Sequence, residues 1–117
     1  MKEIPVYLFT GLLESGKTMF IQDILRDPNF TEDERSLLIV CEEGIEEYDP
    51  QLLHDARTEI VMVEDASELT LRFFRDLGKK FNPDRVLIEL NGMWEIGDFL
   101  EGKLPPEWPL YQIVTTV

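Results

Sequence analysis

The sequence predicts an α/β domain, a mostly parallel sheet with helices on both faces in three layers. Three observations lead there. Short runs of apolar residues rich in β-formers recur along the chain, nearly unbroken by polar ones, as expected of strands buried on both faces of a parallel sheet. Segments with helical apolar spacing lie between them, and that alternation implies right-handed crossover units. The first strand candidate also runs directly into a glycine-bounded loop followed by a helix, and ligands in such sheets sit at the carboxyl ends of the strands.

Val6-Tyr7-Leu8-Phe9 is the first expected strand. From Lys17 the apolar positions Phe20, Ile21, Ile24 and Leu25 mark one helical face, which stops before Asp27-Pro28-Asn29. The charged connector Thr31 to Arg35 leads into a second strand, Leu37-Leu38-Ile39-Val40, and Glu59-Ile60-Val61-Met62-Val63 is a third. Between these two lies the acidic stretch Glu42 to Asp49, where Asp49-Pro50 can begin a short helix through Leu53. Asp65 with Glu68 has capping-box spacing, and Leu69, Phe73, Leu77 and Phe81 then form a stripe, so a second long helix fits this segment. Asn82-Pro83-Asp84 breaks it before Val86-Leu87-Ile88, and the last strand candidate is Leu110 to Val114. Trp94 and Trp108 flank the Gly/Pro-punctuated region between, and packing at least half-buried is expected of both.

The chain has 117 residues, a size that suits one domain. It carries 24 acidic against 11 basic residues, a formal charge of -13, and 44% hydrophobic residues, enough to fold. Such a field repels nucleic acid and anionic membranes unless the cations are concentrated in one place. The lone Cys41 can form neither an internal disulfide nor a zinc site of several thiolates, so a reducing, cytoplasmic setting is expected. No stretch approaches membrane-spanning length, and the apolar run before Thr10-Gly11 is too brief for a signal peptide.

Gly11-Leu12-Leu13-Glu14-Ser15-Gly16-Lys17-Thr18 matches G-x-x-x-x-G-K-[ST] at every required position, between a strand and a helix. The spacing has a physical reason. Gly11 and Gly16 let the backbone bend so that the amides from Leu13 through Glu14, Ser15, Gly16 and Lys17 turn inward on an anion, and the helix start adds its positive end. Lys17 reaches the β/γ-phosphates, and Thr18 can ligate magnesium. Glu14 places a carboxylate in this loop, where it opposes a phosphate unless it points outward to solvent.

Val86-Leu87-Ile88-Glu89-Leu90-Asn91-Gly92 is an apolar strand ending in an acid, with a glycine three residues on. Beside a phosphate-binding loop, Glu89 is placed to support magnesium through water and Gly92 to offer an amide to a γ-phosphate. In the acidic stretch, Glu42 and Asp49 are the candidates for a magnesium or switch role, while Glu43, Glu46 and Glu47 read as a solvated loop. The expected class is thus an α/β three-layer sandwich of P-loop NTPase type with a mostly parallel sheet.

Together these motifs resemble the CobW/HypB/UreG group of P-loop GTPases, most closely its CobW-like branch, over most of the chain. Pro5 through Thr18 is similar to the family's strand and Walker A segment. Pro83-Asp84-Arg85-Val86-Leu87-Ile88-Glu89-Leu90-Asn91-Gly92 is similar to its P-D-x-x-x-x-E-x-x-G segment, in which glutamate stands where other G proteins have aspartate. Glu42, Gly44 and Asp49 match its switch segment, whereas Cys41 and Glu43 depart from it. The resemblance implies magnesium-dependent hydrolysis of GTP coupled to metal delivery or metal-centre assembly, with a metal-receiving client protein as partner. The family's C-x-C-C motif has no counterpart, since Ile60 to Ala66 contains no thiol, and Cys41 with His54 is too few ligands for zinc. No N-K-x-D segment is present, so GTP over ATP rests on resemblance. The resemblance also implies further strands beyond Val117, making these residues the N-terminal portion of a longer chain.

Two other readings stand beside this one. A small-molecule kinase would use the same loop, but would need a basic lid, for which the sequence after Lys80 offers Arg85 and Lys103. A module that binds nucleotide without turnover would use the acidic loop to meet a partner.

Overall fold

Five strands form one sheet in the order β3-β2-β4-β1-β5: β1 (Val6–Gly11), β2 (Ser36–Cys41), β3 (Thr58–Val63), β4 (Arg85–Leu90) and β5 (Leu110–Thr116). Every pairing is parallel. The structure, a computed structural model, describes residues 3–11, 17–27, 34–41, 49–63, 68–90 and 104–116. Its helices are α1 (Lys17–Arg26), α2 (Pro50–Asp55) and α3 (Leu71–Phe81).

The unbroken apolar runs of the inner strands have a direct cause. Side chains alternate across a strand, and here both faces are covered. Val6, Leu8, Leu37, Ile39, Val86 and Ile88 point to one side, where they pack with Leu69, Phe74 and Trp108 under α3. Phe9, Leu38, Val40 and Leu87 point to the other, against Ile21 and Leu25 of α1 and Leu53 of α2. Trp108 is buried against Phe74, with ring centroids 5.6 Å apart, as its expected packing role requires. Trp94 lies outside the described residues.

β5 changes faces partway. Val6 pairs with Leu110 but Tyr7 with Gln112, so one extra residue, Tyr111, interrupts the ladder. Leu110 therefore joins the α3 side, and Val114 the α1 side.

α3 starts later than the Asp65–Glu68 spacing predicts. Thr70 is its N-cap, in extended backbone, with the hydroxyl accepting the Phe73 amide at 3.1 Å. Asp65 lies outside the described residues, and Glu68 precedes the helix. Leu69 is nevertheless buried, because it lies in the same cluster as Phe74. The helix stops at Asn82, whose left-handed backbone donates its amide to the Gly78 carbonyl.

This topology creates a crevice. α1 follows β1 on one face, whereas Leu104 and Trp108, in the connection after β4, pack into the cluster on the other. β1 and β4 are neighbours that hand the chain to opposite faces, the arrangement in which ligands bind outside the carboxyl ends of the strands.

Candidate functional site

Three segments singled out in the sequence leave the sheet at this edge. β1 ends at Gly11, β2 at Cys41 and β4 at Leu90, with β4 between the other two. Lys17 and Thr18 form the start of α1, so the G-x-x-x-x-G-K-T segment of the sequence runs from the last residue of a strand to the first residues of a helix. Leu13, Glu14, Ser15, Gly16, Glu42 and Gly92 lie outside the described residues.

Glu89 is the best-defined member of the site. Its Cα is in register with Phe9 on β1 and Val40 on β2, so all three side chains share the face covered by α1 and α2. It is 0% exposed, and among the described residues it is the sole buried carboxylate. Carboxylates are costly to bury. One placed at the end of a central strand, next to the strand that leads from Gly11 into α1, is a candidate functional group rather than core filling.

Asp49 has a structural role that the sequence left open. Its carboxylate accepts the Gln51 amide at 3.0 Å and caps α2, with Pro50 following at the first helical position. Its own amide donates to Gln22 Oε1 of α1 at 3.2 Å, which ties the end of the acidic loop to the helix that starts at Lys17. Gln22 was not legible as a site-supporting residue, since an isolated glutamine on a helix carries no pattern.

The remaining candidates separate from this edge. His54 is exposed in the last turn of α2. Among the described residues no group of three or more His, Cys, Asp or Glu side chains is placed to hold a metal. Magnesium in nucleotide sites keeps several waters and takes one or two carboxylates plus phosphate oxygens, so such a cluster is not what it requires. Arg85, one of two cations available to a kinase lid, is buried at the amino end of β4 and pairs with Glu34 at 3.0 Å. That end is the wrong edge of the sheet for a lid over the loop. No helix among the described residues is long and apolar enough to cross a membrane.

Comparisons with protein-family models, with curated proteins and with solved structures find no match to the chain.

Proposed function

We propose that this chain binds a nucleoside triphosphate, with GTP favoured, and hydrolyses it with magnesium, as a P-loop domain of CobW/HypB/UreG type. The observation that carries the reading is one juxtaposition. The G-x-x-x-x-G-K-T segment joins β1 to α1, and the adjacent strand β4 carries a fully buried glutamate in register with Phe9. The acid alone would be commonplace; beside the loop pattern it supports pairing an anion-binding loop with a carboxylate.

In this reading the amides of Leu13 to Lys17 and the Lys17 ammonium hold the phosphates, and Gly92 offers an amide to the terminal one. Thr18 would hold magnesium and Glu89 would support it through water, and the ion would supply neutralisation of the phosphate charge. Glu42 or Asp49 orients the attacking water. Catalysis then consists of positioning and charge stabilisation, which is most of what phosphoryl transfer asks of a protein. Transfer of a metal to a client protein remains part of the proposal through the resemblance alone.

The test is phosphate release from GTP and from ATP with magnesium, run beside Lys17→Ala and paired with competition between guanine and adenine nucleotides. Turnover above the Lys17→Ala control supports the reading. Binding without turnover assigns the domain to the non-hydrolysing class. Nucleotide affinity unchanged by Lys17→Ala refutes phosphate binding at the loop.

A further inference from the structure

The opposite edge of the sheet carries a cleft that the nucleotide reading does not use. It encloses about 480 Å³ where β2 and β3 begin, between the C-terminal ends of α2 and α3. Its charged lining is Arg35, Arg57 and Lys80 against a single carboxylate, Glu59, with His54 beside them, while Leu53, Phe81 and Pro83 supply apolar surface. In a chain of net charge -13 this is a local reversal of sign.

A bland explanation covers part of that cluster. Lys80 stands in the last turn of α3, and Arg57 directly follows the end of α2, its amide donating to the His54 carbonyl at 3.1 Å; cations are favoured at both places by the helix dipole. Arg35 belongs to no helix and has no such reason.

Arg57 is the more informative of the two arginines. Its backbone is left-handed, φ 53°, and Asn82 is the one other non-glycine residue with positive φ among the described residues. Asparagine is enriched in that region and commonly ends a helix there, whereas a long unbranched side chain gains nothing from it. An arginine held in a costly conformation, in a turn where glycine would be relaxed, points to a use for its side chain.

Both arginines are fixed by backbone bonds. The Arg57 carbonyl accepts the Ser36 amide at 3.2 Å, and the Arg35 carbonyl accepts the Asp84 amide at 2.8 Å. The Arg35 amide donates in turn to the Asp84 carboxylate at 2.8 Å. Lys80 Nζ lies 5.2 Å from the Phe81 ring centroid, which sets its ammonium at the apolar wall. The cleft is thus preformed in its main chain and cationic in its side chains. Its volume is in the range of small-molecule sites.

We propose that this cleft binds a small organic polyanion, bearing phosphate or carboxylate groups, with its charges on Arg35 and Arg57 and its body on Leu53, Phe81 and Pro83. The site is separate from the loop at Gly11 to Thr18 and does not depend on what that loop binds.

The test is an NMR titration of the full chain with pyrophosphate and, separately, with citrate, reading amides one by one. Saturable shifts are expected at residues 34–37, 55–59 and 80–84, weakened at least about tenfold by Arg57→Gly and by Arg35→Gln, the loss of one charge-assisted contact. Arg57→Gly relaxes the backbone, so that variant remains folded with an unchanged or higher Tm. A response to pyrophosphate alone assigns phosphate chemistry, and a response to citrate alone assigns carboxylate chemistry. Shifts confined to Gly11 and the first turn of α1 overturn the cleft while leaving the nucleotide reading intact. Cleft shifts that survive Arg57→Gly at full affinity overturn it as well.

Discussion

Glu89→Gln separates a functional carboxylate from a structural one. The side chain is fully buried on a face shared with Phe9, Val40 and Leu87, where a charged carboxylate costs several kcal/mol of desolvation, offset in part by its bonded neighbours. Glutamine keeps the shape and an oxygen acceptor but removes the charge. The unliganded chain should gain about 1–2 kcal/mol from the exchange. For 117 residues the unfolding entropy is about 0.25 kcal/mol/K, so Tm should rise by about 4–8 °C. Adding magnesium and a non-hydrolysable triphosphate at about 100 times its Kd should stabilise the wild type by about 2.7 kcal/mol, or about 11 °C. The variant should lose the magnesium-dependent share of that shift. Circular dichroism melts of chelator-treated protein, with and without the ligands, read both numbers. A variant that is less stable by about 1 kcal/mol or more, with its magnesium response intact, refutes the reasoning and makes Glu89 a fixture of the fold.

Gly78→Ala should destabilise by about 1 kcal/mol, because its Cβ would stand 3.2 Å from Trp108 Cζ2 and the overpacking outweighs the gain in helix propensity. In a Trp108→Phe background the same change should stabilise, and urea unfolding of the four proteins forms the cycle that checks it. Thr70→Ala should cost about 1 kcal/mol by removing the cap on the Phe73 amide, with Thr70→Ser close to wild type, measured the same way. Tyr7 has its pKa raised above 10.0, first by burial and then by Tyr111 and Glu34, with Arg85 pulling the other way. A raised value favours the protonated folded form, so its contribution is complete below the unfolded value and is lost as pH climbs through the folded one. Unfolding midpoints from about pH 9 to about pH 11 should therefore fall less steeply in Tyr7→Phe than in wild type.

The strands were the most legible part of the fold, and the reason is double burial. With both faces covered, Leu37 to Val40 and Val86 to Ile88 need no polar alternation, so each reads as a plain apolar run. β3 shows the converse, since it is an edge strand. Met62 is 55% exposed there, yet its apolar character made it look as central as the rest. The stripe on α3 was right in face but not in centre. Phe73, Leu77 and Phe81 are partly buried, and the side chain sealed in the core is Phe74. Four-residue spacing drifts across a helix that turns every 3.6 residues, so the stripe flanks the buried line. The start of α3 was misread for a local reason. Asp65 and Glu68 have capping-box spacing, but the helix begins at Leu71 and the hydroxyl that takes the Phe73 amide belongs to Thr70.

The candidate site was legible in one segment of the sequence and illegible in the strand that lies beside it. A glycine loop between strand and helix announces itself in eight consecutive residues, whereas an acid after an apolar run is commonplace. What raises Glu89 above that background is strand order. β4 is the fourth strand in sequence but lies between β2 and β1, so the register sets Glu89 beside Phe9, two positions before Gly11 on the same strand. No periodicity encodes that insertion; it follows from the chain crossing outward to β3 and returning on the other face through α3. The same geometry gives the acidity of the chain a direction. Glu89 belongs to the carboxyl edge, while Arg35, Arg57, Lys80 and Arg85 gather at the amino edge. A formal charge of -13 therefore describes neither end. In the two readings proposed, an anion would be met at the carboxyl edge by helix start and amides, and at the amino edge by guanidinium groups held on a hydrogen-bonded frame.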